Sequence, residues 1–227
     1  MDNAAELSAL MRSRAEMYAF LSRCFRTEVD DELLATLEGL ESAPKTGNAE
    51  VDEGYRLIFE YLRAAREHGG EVSEGRSVRT DLAVDFTRAF ISRGRDGHAV
   101  AYPFESVYTS AKRLLMQKAR TEAVEAYRAA GFKAANWHEP EDHIAVELEF
   151  MEMLSLRCAD ALDAADEDAA SDALSRQVEF CALHLANWVP EFAADMERFA
   201  KTGFYLGLAH LLRGFIAEDC ALLSDLC

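Results

Sequence analysis

From Leu7 to Leu223 the apolar residues return at intervals of mainly three and four. Nowhere do they alternate with polar residues as a half-buried strand requires. That period leaves one fold class, all-α. Leu7, Leu10, Met11, Met17, Tyr18, Leu21 and Phe25 make a single stripe on a first helix. Asp30 and Asp31 open a shorter helix that runs to Leu40, where "ESAPKTGN" breaks the pattern. Further helices are predicted over 50–67, closed by Gly69 and Gly70, and over 77–92, 105–130, 140–164, 168–188 and 191–223. The segment "RGRDGHAVAYP" at 93–103 is longer than most connections in compact domains, and such loops often carry function. The acidic "ALDAADEDAASD" offers a hinge near 164–172, but its flanking helices are amphipathic enough to pack together. The expectation is one helical domain over 1–227.

Charge narrows the partners. Lysine and arginine number 24 against 41 aspartates and glutamates, a net charge of −17. Such a chain repels phosphate backbones and shows no basic cluster interleaved with aromatics, so nucleic acid is not its partner; a basic ligand would be drawn to it. The start "MDNAAELSAL" carries acids where a secretory signal carries lysine or arginine. No uncharged apolar run approaches the roughly 18 residues of a membrane span. A cytoplasmic protein without stable membrane insertion is expected. Cys24, Cys158, Cys181, Cys220 and Cys227 include no C-x-x-C pair, which removes the usual signature of zinc ribbons, iron–sulfur clusters and thioredoxin chemistry. Most of them read as small core hydrophobes in a reducing compartment.

The chemically richest stretch is "NWHEPEDHIAVELEFM", 136–151. As a metal site it fails on spacing. A zincin needs histidines four apart, but His138 and His143 are five apart across Pro140. A di-iron helix needs Glu-x-x-His, and Pro140 stands where that glutamate would be. His143 and Glu147 share a helix face, yet two ligands make no site. General acid–base chemistry by Asp142, His143 and Glu147 is the enzymatic alternative; no partnered nucleophile and no phosphate loop accompany it. The plainer reading is a helix start: Pro140 at the first helical position, and Glu141 and Asp142 in the first turn, where carboxylates favour the positive end. Ile144, Leu148, Met151 and Cys158 then point inward, and Glu139, Glu141, Glu149 and Glu152 are solvated.

Three stretches taken together resemble one family. They are "DFTRAFISRGRDGHAVAYPFESVY" (85–108), "EPEDHIAVELEFM" (139–151) and "EFCALHLANWVPEFAADMERFAKTGFYLGLAHLLRGF" (179–215). The chain is similar, in nearly its full length from Leu10 onward, to the TorD/DmsD-type redox-enzyme maturation chaperones of the TorD/DmsD/NarJ superfamily. The middle stretch resembles the family's E-P-x-D-H helix start followed by E-L-x-F-M. The resemblance implies a single compact domain of about eight to ten helices and a chaperone rather than an enzyme, with no metal and no cofactor of its own. Its partners would be the twin-arginine signal peptide and the body of a molybdopterin-containing oxidoreductase of the DMSO or TMAO reductase type. The chaperone would hold that client, as monomer or homodimer, until the molybdenum cofactor is inserted. An adaptor for a leaderless redox subunit, as in nitrate reductase assembly, is the alternative.

A twin-arginine leader pairs a basic start with an apolar segment, so its receptor needs carboxylates beside a hydrophobic groove. Asp142, His143 and Glu147 are the candidate polar edge, and Trp137, Tyr102, Phe104, Tyr108 and Phe86 the candidate apolar lining. Trp188, Tyr205 and His184, on long periodic helices, are assigned to the core.

Overall fold

A computed structural model describes residues 2–40, 42–68, 70, 72, 75–91 and 100–226. Among these residues the chain forms ten α-helices. They are α1 (Asp2–Arg26), α2 (Asp31–Glu38), α3 (Ala49–Glu67), α4 (Val78–Phe86), α5 (Glu105–Thr109), α6 (Lys118–Ala129), α7 (Ile144–Asp163), α8 (Glu167–Phe180), α9 (Ala186–Phe199) and α10 (Gly203–Asp225). π-helical turns follow α4 (Thr87–Ile91) and α8 (Cys181–Leu185). Short polar side chains set several starts: Asp30, Asn48, Ser77 and Asp166 each accept from backbone N–H groups of the first turn that follows. Of the loop at 93–103, residues 93–99 lie outside the described residues.

Several helix boundaries differ from the periodicity, among them the expected break at 189–190, which α9 (Ala186–Phe199) spans with Pro190 inside it. The segment 105–130 is two helices, because Arg113 and Met116 adopt positive φ and the Gln117 N–H is drawn 3.0 Å to Ser106 Oγ. The segment 191–223 is interrupted between α9 and α10. There Asp85 of α4 accepts from the backbone N–H groups of Lys201 (2.9 Å) and Thr202 (2.7 Å), and Thr202 Oγ1 accepts from Tyr205 N–H. Pro140 does not begin α7; His143 is its N-cap, and its Nδ1 accepts from Ala145 N–H at 3.1 Å.

By packing, the chain divides into two compact units, residues 1–26, 104–188 and 216–227, and residues 27–103 and 189–215. The first unit is built around α7, against which α1 and α8 pack. Of the first eight residues of α7 only Glu149 is not buried, so this helix is covered nearly all round. Met11, Cys158, Ala159, Ala170 and Ala173 close the α1–α7–α8 junction, where small residues let the backbones approach. A polar knot lies inside this unit. Arg14 forks onto Asp219 (2.5 and 2.9 Å) and reaches Gln177 Oε1 (2.7 Å), while Tyr18 O–H donates to Asp219 (2.5 Å). Arg14 and Asp219 are both buried, a geometry in which removing either partner costs about 3–5 kcal/mol. Two of the five cysteines do not behave as the sequence suggests: Cys181 and Cys220 form a disulfide, with Cα atoms 5.8 Å apart. Cys24 and Cys158 are buried free thiols, and burial raises the Cys24 thiol to about 12.

In the second unit α3 and α10 meet backbone to backbone. A Cβ on Gly207 would stand 2.5 Å from Gly54 O, and one on Gly54 would stand 2.7 Å from Gly207 O, so only hydrogen fits at either position. In the same unit Phe86, Phe90, Phe192 and Tyr205 form an aromatic cluster with ring centroids 5.1–6.1 Å apart. Trp188, Tyr205 and His184 are buried, as the core assignment requires.

Candidate functional site

The site-bearing part of the first unit begins where the chain enters α5. Phe104 is extended and pairs with His143 in an isolated antiparallel bridge. Glu105 N–H then donates to Asp142 O (2.9 Å), and Ser106 N–H to Asp142 Oδ2 (2.9 Å). Asp142 is therefore a helix-start carboxylate, but of α5 rather than of its own helix. Its neighbour Glu141 turns outward to Arg120 at 2.5 Å.

The edge expected of Asp142, His143 and Glu147 is not on the surface. Asp142 and Glu147 are 0 % exposed and His143 is 6 % exposed. The reason is the covering of the α7 N-terminus by α5 and the 136–141 segment. His143 lies edge-on to Phe104 (5.0 Å) and Trp137 (4.8 Å), and Arg26 sits over the Trp137 ring. Burial, helped by the charge of Arg26, lowers its pKa to about 3. The imidazole is neutral, with Nδ1 as acceptor and the proton on Nε2.

Of the expected apolar lining, Phe104 is buried, while Trp137 and Tyr108 are half-buried. Tyr108 stacks on Trp188 at 5.5 Å. Phe86 and Tyr102 belong to the second unit, where Phe86 is part of the aromatic cluster and Tyr102 is half-buried.

Glu147 is bound to this assembly from the other side. Trp188 Nε1–H donates to Glu147 Oε2 at 3.0 Å. Burial first, then the charges of Glu105 and Asp142, hold the Glu147 carboxyl well above the usual carboxylate range. Glu105 meets His184 Nδ1 at 2.8 Å, and His184 stacks on Phe180 at 4.4 Å. The sequence reading did not single out Glu105 among the candidate site residues.

Glu105 and His184 open into a groove of about 680 Å³ bounded by α5, α6, α7 and the end of α8. Its floor is apolar: Ala119, Ala126, Phe150 and Phe180. Glu122, Glu125 and Glu179 stand along its wall, with Lys118 and Arg176 among them, and Leu183 is 57 % exposed at its lip. Lys118 holds Glu122 at 2.6 Å, an exposed and readily exchanged pair.

Fold and site together define an all-helical chain with a carboxylate-lined groove. Residues 48–194 match the family described as nitrate reductase delta subunit. Chaperone protein TorD of Vibrio cholerae is 31 % identical over 222 residues, covering 97 % of this chain and 96 % of its own. Chaperone protein TorD of Vibrio parahaemolyticus is 28 % identical over 96 % of this chain and 98 % of its own. A crystal structure described as a redox enzyme maturation protein from Archaeoglobus fulgidus superposes with a TM-score of 0.47 at 23 % identity, covering 87 % of this chain and 91 % of that one. The chain belongs to the nitrate reductase delta subunit family and, within it, to the TorD-type redox-enzyme maturation chaperones. None of the helices described is long and apolar enough to cross a membrane.

Proposed function

We propose that this chain is a cytoplasmic, non-enzymatic chaperone that holds the twin-arginine leader of a molybdenum-cofactor oxidoreductase until the cofactor is in place. The observation that carries the reading is the groove of the first unit, whose carboxylate wall and apolar floor suit the two halves of such a leader. Relatives over nearly the whole length are named chaperones, which supports a binding role. In this reading Glu122, Glu125 and Glu179 receive the arginines, and Leu183 and Phe180 receive the apolar segment. Asp142 and His143 act through position: Asp142 fixes the start of α5 and so the placement of Glu105, and His143 caps α7.

Calorimetric titration with a synthetic twin-arginine leader tests this. Exchanging both leader arginines for alanine, or Glu122, Glu125 and Glu179 for glutamine, is expected to weaken binding by about 1.5–3 kcal/mol per charged hydrogen bond lost. The wild-type affinity should fall as salt rises. Equal affinity for the alanine leader would refute arginine recognition.

A second reading, an adaptor for a leaderless redox subunit, is favoured by the family description that residues 48–194 match. It predicts capture of the folded client with its leader removed, at undiminished affinity.

A further inference from the structure

Glu105, Glu147 and His184 come from α5, α7 and the π-turn after α8, far apart in sequence, yet one ligand atom from each lies within 4.8 Å of the others. All three are buried. We propose that they form a binding site for one divalent transition-metal ion of the zinc class, with an open coordination position towards the groove.

Beyond the convergence itself, Glu147 Oε1 is fully buried with no donor group reaching it, and the Glu105 carboxyl lies within side-chain hydrogen-bond reach of Glu147. The ligand set also suits the ion. Two carboxylate oxygens and one imidazole nitrogen are donors that zinc, manganese and ferrous ions accept, and three protein ligands with one open place is the pattern of non-structural zinc sites.

The surroundings orient the ligands as a metal site requires. Trp188 Nε1–H fixes Glu147 Oε2, and Phe180 stacks on His184 and sets its ring plane. Glu105 and His184 line the groove, which gives the ion a path inward and leaves a water on its open side.

The other convergent cluster, Glu50, Glu197 and His210 in the second unit, differs in kind. Arg213 already pairs with both of its carboxylates, so its charge is met from within the chain.

The test uses the full-length protein stripped by a chelator and titrated calorimetrically with zinc chloride alone. One equivalent per chain is expected, with a raised melting temperature. Glu147→Gln keeps the shape and the acceptor for Trp188, and should lower zinc affinity by more than about 100-fold, beyond the range of an outer-shell change. Glu197→Gln should leave the affinity unchanged. Cobalt bound to the wild-type chain provides a readout that needs no variant, and d–d bands of an oxygen- and nitrogen-ligated ion are expected. Thiolate-to-cobalt charge transfer, absence of zinc binding, or undiminished binding by Glu147→Gln would each overturn the site.

Discussion

Lowering the pH from about 7 to about 5 puts the enclosed His143 to a quantitative test. In the unfolded chain its imidazole titrates near 6.5, whereas in the fold burial and Arg26 lower it to about 3. Between those values the unfolded state binds a proton that the folded state refuses. Stability from this group therefore rises with pH through the window and falls by about 1.4 kcal/mol for each unit below 6.5, or about 2 kcal/mol at pH 5. Glu147 works in the opposite sense. Its carboxyl is raised above 4.5 in the fold, so its contribution is present below that value and is lost as pH rises. The two contributions therefore oppose each other as the pH falls. His143→Asn removes the titrating ring and keeps a side chain suited to capping α7. Its stability should fall less steeply with pH below 6.5 than that of the wild type, while that of Glu147→Gln should still decline by about 1.4 kcal/mol per unit on account of His143. Urea unfolding at several pH values, followed by circular dichroism, gives these slopes. Parallel curves for wild type and His143→Asn would show that the ring is not held neutral, and the enclosed arrangement around it would be wrong.

Three other substitutions probe separate contacts. Asp142→Ala leaves the buried Ser106 N–H without its acceptor and should cost about 2 kcal/mol, roughly 4–8 °C in thermal melting for a chain of this length; an unchanged melting curve would deny Asp142 the capping of α5. Gly207→Ala drives a methyl into Gly54 O and should destabilise by about 1–3 kcal/mol in urea titration, with no loss if α3 and α10 stand further apart. Cys181→Ser opens a cross-link between residues 39 apart and should cost about 4 kcal/mol under oxidising conditions. Wild type in excess reductant should then match the variant.

The helical class was legible because a three-to-four period persists through every long segment and is independent of what packs where. The α7 stripe of Ile144, Leu148, Met151 and Cys158 was legible for the same reason, and all four are buried. Helix ends were not legible where distant groups set them. The break after α5 depends on Ser106 Oγ drawing in Gln117, and the start of α10 on a carboxylate from α4. Asp142 shows both sides: its residue type announced a helix start, but only tertiary structure assigns it to α5. Glu105, Glu147 and His184 lay beyond any spacing rule, since Glu105 and His184 alone are 79 positions apart.

The buried pair of Arg14 and Asp219 has a consequence for how the chain is made. Arg14 leaves the ribosome 205 residues before the carboxylate that neutralises it. Until Asp219 follows, docking α1 against α7 would bury a charge without its partner, at a cost of about 3–5 kcal/mol. The first unit also takes its last stretch from 216–227, after the whole of the second has been synthesised. The nascent chain is thus kept from closing its first unit early, and completion of that unit reports that translation has passed Asp219.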